Sequence, residues 1–168
     1  MLIRLLNPND APSFQSLRLR ALRDAPTSFS SSYEEEVERS IDAVRNQLAT
    51  RDDRGIFGAL DGERLIGVAG LGRENLQKLS HKAFLWGVYV APEMRGSGIS
   101  RRLIASALDF AKSVPGVTQV NLTANANSTA AIRVYASLGF YEFGLERHSL
   151  MVGGVVYDEV HMSLRFAG

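Results

Sequence analysis

The amino-acid sequence predicts an α/β fold in which helices pack on a mixed β-sheet, and three observations favour this class. Helical and strand-like periodicities alternate along the chain in the order βααββ, then βαβα, then ββ. Two apolar runs meet at an Asp-Gly pair, which is typical of a tight β-hairpin. The strand–helix–strand unit in the second half implies a parallel pair of strands, because a crossover helix returns the chain in the same direction.

The first part of the chain is predicted to form one strand and two helices. Residues 2–6 are a short apolar run that ends at the turn sequence NPND. Asp10 can cap the first helix, which we expect to continue to about residue 22. A second helix is expected over residues 40–50, where apolar side chains recur at spacings of three and four. The polar, turn-rich residues 24–36 between them are expected to form a loop.

The middle of the chain is predicted to contain a hairpin and a central strand. Two apolar runs join at Asp61 and Gly62, a dipeptide that tolerates the positive φ angles of a type I′ turn. Residues 82–90, KAFLWGVYV, are almost continuously apolar and combine aromatic with β-branched side chains. We therefore expect a central strand that is buried on both faces.

The last part of the chain alternates helices and strands. The predicted elements are a helix over residues 99–112, a strand over 117–124, a helix over 128–138 and two closing strands near 140–150 and 155–166. Gly139 stands where glycine is favoured just after a helix. Because no linker, repeat or low-complexity segment interrupts the pattern, we expect one domain over residues 1–168.

Composition excludes several classes of function. Lys and Arg number 19 against 18 Asp and Glu, so the formal net charge of +1 gives no reason to expect a nucleic-acid or membrane partner. Without cysteine the chain has no disulfide, thiolate metal site or cysteine nucleophile, and its three histidines are not spaced like metal ligands. We expect a cytoplasmic enzyme or binding module that uses no metal ion. The sequence leaves the oligomeric state undecided, and a homodimer is one possibility.

The sequence APEMRGSGISRRL, residues 91–103, places two glycines at the start of a predicted helix, where each costs about 1 kcal/mol relative to alanine. A helix start leaves backbone N–H groups unpaired, and glycine lets a phosphate approach them. Arg95, Arg101 and Arg102 add positive charge. A tight turn would use the same glycines, so both interpretations stay open here. The spacing excludes a Walker loop, and a dinucleotide loop would need a third glycine where Arg101 stands.

Two segments resemble motifs of the GNAT superfamily of N-acetyltransferases. The stretch VYVAPEMRGSGISRRLI is similar to that family's pyrophosphate loop, Arg/Gln-x-x-Gly-x-Gly/Ala, with matches at Arg95, Gly96 and Gly98 and a departure at Ser100. The stretch NANSTAAIRVYASLGFYEFG resembles the family's Asn-x-x-Ala-x-x-x-Tyr-x-x-x-Gly-Phe segment at Asn127, Ala130, Tyr135, Gly139 and Phe140, with Tyr135 one residue later than the shortest spacing. The resemblance covers most of the chain. It implies a strongly twisted mixed sheet of six or seven strands with helices on both faces.

The resemblance also implies acetyl-CoA as the co-substrate. By this resemblance, the residues that bind it are Val88, Val90, Arg95, Gly96, Ser97, Gly98, Ile99, Ser100, Arg101, Asn127 and Arg133. The backbone of residues 95–100 would hold the pyrophosphate, and the backbone of Val88 or Val90 the thioester. Asn127 would contact the pantetheine arm, although a simple helix cap is its plainer role. Arg101, Arg102 or Arg133 would meet the 3′-phosphate, although such arginines can also form a solvated helix face.

A tyrosine in the position of Tyr135 faces the sulfur in the resembled family and protonates the leaving thiolate. A core tyrosine is the alternative. Many relatives carry a glutamate on the strand equivalent to residues 82–90, and this strand has no carboxylate. Trp86 and Tyr89 either shape the acceptor pocket or belong to the core. The acidic residues 34–36 either attract a cationic amine or form a solvated face, and a water chain is compatible as the base.

The function expected from this resemblance is that of an acetyl-CoA-dependent N-acetyltransferase. It would move the acetyl group to a primary amine by direct attack in a ternary complex. The alternative is a non-catalytic acyl-CoA-binding or sensing module, which the missing strand carboxylate favours and Tyr135 opposes. The acceptor is either a small amine or a protein N-terminus or lysine.

Overall fold

Seven strands form one mixed sheet in the computed structural model, which describes residues 1–167. The strands are β1 (Leu2–Leu5), β2 (Arg54–Asp61), β3 (Arg64–Arg73), β4 (Lys82–Val90), β5 (Gln119–Asn125), β6 (Tyr141–Val152) and β7 (Val155–Arg165). Their spatial order is β1-β2-β3-β4-β5-β7-β6. Neighbouring strands are antiparallel except for β4 and β5, which form the parallel pair that the sequence predicts.

Helices cover both faces of the sheet, as expected. They are α1 (Ala11–Asp24), α2 (Tyr33–Glu36), α3 (Ile41–Gln47), α4 (Ile99–Ser113) and α5 (Thr129–Ser137). One core cluster joins α1 and α3 to the sheet through Phe14, Leu17 and Val44. A second cluster on the other face holds Leu103 of α4 and Tyr135 of α5. None of the helices in the described part of the chain is long and apolar enough to cross a membrane.

One local prediction is confirmed by backbone geometry and another only in part. The predicted β2–β3 hairpin forms, but Asp61 pairs with Arg64, so the turn residues are Gly62 and Glu63 rather than Asp61 and Gly62. Of these two residues only Gly62 has a positive φ, 61°, so the predicted type I′ turn is wrong and glycine at the first turn position is the pattern of type II′. Gly139, with a φ of 105°, directly follows the last cap residue of α5. Both glycines stand where the chain must turn with a positive φ, so the sequence marks these ends sharply.

The prediction of a simple loop over residues 24–36 is wrong. Pro26–Ser28 forms a 3-10 turn, and α2 follows because the Ser32 hydroxyl accepts a hydrogen bond from the Glu35 N–H at 3.2 Å. Ser32 and Glu35 have the spacing of a capping box, which is a readable helix signal. The next helix, α3, ends at Gln47 rather than at residue 50.

Strand β4 is central, but the prediction that it is buried on both faces is also wrong. Phe84, Trp86 and Val88 are all partly exposed. The helices on the two faces of the sheet leave these three side chains partly uncovered. The pairing of β4 with β5 ends at Phe84 and Asn121 although both strands continue. The two strands therefore bound a gap, the β4–β5 cleft, lined by the backbone after these two residues.

Candidate active site

The connection from β4 to α4, residues 91–98 (the glycine loop), ends in two glycines with left-handed backbone. Gly96 has a φ of 81° and Gly98 a φ of 78°, a region that residues with a side chain avoid. A Cβ built on either glycine would meet no atom within 4 Å. The glycines thus shape the loop and also leave open space beside it.

Backbone N–H groups without partners in the described part of the chain lie beside this open space. The N–H groups from Gly96 to Arg101 have no hydrogen-bond partner within residues 1–167, and the first helical bond of α4 runs from Arg102 N–H to Gly98 O at 3.2 Å. The helix dipole adds positive potential here, so the site can hold an anionic group such as phosphate. The backbone predicted to hold the pyrophosphate began at Arg95, but the Arg95 N–H is not free, because it donates to Pro92 O at 3.3 Å.

The Arg95 side chain folds back onto the end of β4. Its Nε donates to Val90 O at 3.0 Å, and its Nη2 donates to Asp24 Oδ2 at 2.9 Å. The same carboxylate oxygen accepts a hydrogen bond from the Tyr89 hydroxyl at 2.8 Å. The Tyr89 bond first, and then Arg95, lower the pKa of Asp24. Asp24 therefore carries its negative charge at neutral pH, and sequence reasoning missed it.

Glu93 anchors the glycine loop at a second point. Arg20 of α1 donates two hydrogen bonds to its carboxylate, at 2.9 and 2.7 Å, and Arg64 of β3 donates to it as well. The Arg20 hydrogen bonds are the main cause that lowers the pKa of Glu93 to about 2. Because these groups are exposed, the pair orients the loop more than it stabilises the fold.

A β-bulge interrupts β4 beside the cleft. Trp86 pairs with Gly70 and Tyr89 with Val68, so Gly87 and Val88 together face a single residue of β3. Gly87 has a φ of 64°. Glycine inside an apolar strand is a sequence signal for such a bulge. Val88 and Val90, the predicted thioester contacts, both lie on this last part of β4, past the end of its pairing with β5.

Tyr135 of α5 is buried and packs edge-on against Phe140, with ring centroids 5.9 Å apart. Burial raises the pKa of its hydroxyl to about 12, so the hydroxyl is protonated at neutral pH. No group within residues 1–167 forms a hydrogen bond with this hydroxyl, although its oxygen is not sealed from solvent. The ring belongs to the core, and the role of the hydroxyl as a proton donor stays a prediction.

Asn127 is exposed, and its neighbour Asn125 is the buried one. The Asn125 Nδ2 donates to Thr27 O at 3.0 Å, and its Oδ1 accepts from the Asn127 N–H at 2.9 Å. Asn125 thereby ties the end of β5 to the segment between α1 and α2. The sequence analysis did not single out Asn125, and the contact of Asn127 with the pantetheine arm stays a prediction. Ser128, rather than Asn127, precedes α5 as its N-cap residue.

The arginines predicted for the 3′-phosphate lie exposed on two adjacent helices. Arg101 and Arg102 are in the first turn of α4, and Arg133 is on α5. Arg101 donates a hydrogen bond to the Ser137 hydroxyl, which links α4 to α5. Their role toward a phosphate remains a prediction.

The three consecutive glutamates, residues 34–36, differ in their exposure to solvent. Glu34 and Glu35 are exposed, whereas Glu36 is buried and binds Arg18, whose Nη2 lies 2.9 Å from Glu36 Oε2. The Arg18 guanidinium also lies over the rings of Phe29 and Trp86, at 4.9 and 6.0 Å. Since Arg18 already neutralises Glu36, this carboxylate is not free to attract a cationic amine.

The β4–β5 cleft lies next to the start of α4, where backbone N–H groups are free within the described residues. This arrangement suits an extended ligand that carries a phosphate group. The chain belongs to the acetyltransferase (GNAT) family, whose family model matches residues 18–140. This match confirms the predicted resemblance. The chain is 37% identical over 113 residues to N-alpha-acetyltransferase RimI of Mycobacterium tuberculosis. The aligned region covers 67% of this chain and 67% of that enzyme.

Solved structures share the fold at low sequence identity. A GNAT-family acetyltransferase from Streptococcus pneumoniae superposes with a TM-score of 0.88 at 19% identity, over 98% of this chain and 99% of that one. The phosphinothricin acetyltransferase of Sinorhizobium meliloti, solved in complex with acetyl-CoA, has a TM-score of 0.81 at 20% identity, over 98% of this chain and 87% of that one. The predicted fold class is thereby confirmed.

Proposed function

We propose that this protein transfers the acetyl group of acetyl-CoA to a primary amine by direct attack within a ternary complex. The observation that carries the proposal is the run of unpartnered N–H groups from Gly96 to Arg101 beside open space. A pyrophosphate brings the anionic oxygens that such donors bind. Family membership supports the same ligand, as does the related enzyme solved with acetyl-CoA.

In this proposal the glycine loop holds the pyrophosphate, and the β4–β5 cleft receives the pantetheine arm. The backbone of Val88 or Val90 contacts the thioester, because both residues lie where β4 no longer pairs with β5. Asn127 contacts the arm from the end of β5. Arg101 and Arg133 meet the 3′-phosphate from two adjacent exposed helix faces.

The chemistry requires a neutral amine and a proton donor for the leaving sulfur. The amine nitrogen forms the amide bond while the carbon–sulfur bond breaks. The nitrogen gives one proton to the solvent, and the sulfur gains one from the Tyr135 hydroxyl, which is later reprotonated by water. A hydroxyl that is protonated, unpartnered and reachable suits this role.

The acceptor side differs from the pattern of the resembled family. Strand β4 has no carboxylate, and Glu36 is held by Arg18. We therefore assign the removal of the amine proton to water rather than to a side chain. The acceptor is a small amine, a protein N-terminus or a lysine, and the name of the mycobacterial relative supports a protein N-terminus.

Initial-velocity kinetics test the ternary complex. With a working acceptor, double-reciprocal plots at several acceptor concentrations should intersect, because both substrates must be bound before either product leaves. Incubation with acetyl-CoA alone should leave the intact mass of the protein unchanged. Parallel lines together with an acetylated protein would contradict direct attack. Binding of acetyl-CoA without CoA release for any amine would favour the acyl-CoA-binding module instead.

A further inference from the structure

We propose that Asp24 is a positioning residue for the glycine loop, and that it acts through Arg95. This inference rests on the proposed function, since the loop is taken to bind the pyrophosphate of acetyl-CoA. Asp24 is the last residue of α1, the helix on the opposite side of the loop from α4. Its Oδ2 atom joins two side chains that belong to β4 and to the loop, Tyr89 and Arg95.

The Arg95 side chain acts as a strut in this arrangement rather than as a phosphate ligand. Its Nε is used by Val90 O, its Nη2 is used by Asp24, and its guanidinium lies 5.4 Å from the Tyr89 ring centroid. These contacts hold the side chain back over the end of β4. They fix the glycine loop at Arg95, directly before the free N–H groups that begin at Gly96.

A second tie from α1 restrains the loop on its other flank. Arg20, one helical turn before Asp24, binds Glu93 with two hydrogen bonds, and Arg64 binds the same carboxylate. The loop is therefore held at Glu93 and at Arg95 by the same helix. Fixing donors before the ligand arrives lowers the ordering cost of binding.

Charge and positioning predict opposite changes in CoA affinity when Asp24 is replaced. Asp24 is a negative charge near an anion site, so charge alone predicts that its removal tightens the binding of a pyrophosphate. Positioning predicts the opposite, because Arg95 loses the charged partner of its ion pair with Asp24 and the loop is held less firmly. The Asp24→Asn variant removes the charge but keeps an oxygen that accepts the Tyr89 hydrogen bond.

Calorimetric titration with CoA separates the two signs. We expect Asp24→Asn to bind CoA at least about fivefold more weakly, the lower end of common coupling effects. The same ratio is expected for 3′-dephospho-CoA, because the effect lies at the pyrophosphate. With a working acceptor, the acetyl-CoA KM should rise while kcat stays constant. Asp109→Asn is the matched control, since Asp109 is an exposed α4 carboxylate whose oxygen lies 3.9 Å from Lys112 Nζ.

A double-mutant cycle with Arg95→Met tests whether Asp24 acts through Arg95. If it does, Asp24→Asn should weaken CoA binding in the native background and have no further effect beside Arg95→Met. Unchanged or tighter binding by Asp24→Asn would overturn the positioning role. Additive losses in the cycle would overturn the route through Arg95. If the native protein does not bind CoA at all, the proposed function itself fails.

Discussion

The indole ring of Trp86 lies directly against the Cα of Gly70 on the neighbouring strand, and the two residues are paired in register. A Cβ on Gly70 would overlap the ring atoms of Trp86. Trp86 in turn supports the Arg18 guanidinium, which binds Glu36. The missing side chain of Gly70 on β3 therefore makes room for the Trp86 ring.

Gly70→Ala should destabilise the fold by about 1–3 kcal/mol, the usual cost of overpacking. The measurement is the free energy of unfolding in urea. Gly144→Ala on β6 is the matched control, because the nearest atom to its Cβ would be His161 Cβ at an ordinary 3.8 Å. Equal stability of the two variants would show that the Trp86 ring moves aside freely, which would contradict a ring that is fixed against Gly70.

Gly98→Val should abolish CoA binding through a side chain that fills the open space beside the loop. The left-handed backbone at Gly98 also makes valine cost about 1–2 kcal/mol or more in stability. Gly62→Val separates the two effects, since Gly62 has a φ of 61°, equally open surroundings and a place in the distant β2–β3 turn.

Both glycine variants should lose similar stability in thermal unfolding, while only Gly98→Val should lose CoA affinity in calorimetry. If Gly98→Val keeps native affinity at a temperature where it is folded, the loop does not hold the pyrophosphate.

Tyr135→Phe should lower kcat by roughly 100-fold, the scale of general acid catalysis, with little change in acetyl-CoA affinity. The ring, and with it the contact to Phe140, is kept. Tyr141→Phe is the control, because Tyr141 is an exposed tyrosine at the start of β6. An unchanged kcat, in a variant for which chemistry is shown to limit the rate, would end the assignment of Tyr135 as the acid.

Two of the five tyrosines should titrate late in alkali. Burial raises the pKa of Tyr135 to about 12, and burial together with the Asp24 hydrogen bond raises the pKa of Tyr89 to about 12. The unfolded chain ionises its tyrosines near pH 10. Their contribution to stability is therefore complete below pH 10 and is lost as the pH rises from 10 to 12.

Ultraviolet difference absorbance against pH measures this titration. One late-titrating tyrosine should disappear in Tyr135→Phe, and the loss of stability in alkali should become less steep. Ionisation of all tyrosines near pH 10 in a protein that is still folded would contradict the burial of these two hydroxyls.

The elements of the fold could be predicted from the sequence because the residues that end helices and form turns act locally. The turn at Gly62, the helix end at Gly139 and the glycine pair at the start of α4 each follow from chain geometry that few other residues allow. The parallel pair followed from the strand–helix–strand order. The early end of the β4–β5 pairing did not, because continuous apolar sequence is the same for a fully paired strand and for one that leaves its neighbour.

The candidate site was predictable where a motif carries it and obscure where contacts span the chain. Tyr135 and the glycine loop were proposed from the resemblance to the family's motifs, and their roles stay predictions. Asp24 meets Arg95 across 71 residues, and Arg18 meets Glu36 across 18, so neither pair leaves a local pattern. Their roles appear only once α1 is placed beside the loop and the end of β4.

Acceptor-dependent release of CoA is the measurement that decides whether this protein transfers acetyl groups to an amine. The native protein is supplied with acetyl-CoA and a panel of polyamines, amino acid derivatives, lysine peptides and peptides with free N-termini, and free thiol is followed with time. We expect thiol release above the acceptor-free rate for at least one class, with a matching acetylated product by mass, and its loss in Gly98→Val but not in Gly62→Val. Thiol release that never exceeds the acceptor-free rate, from a protein shown by calorimetry to bind acetyl-CoA, would contradict acetyl transfer to an amine.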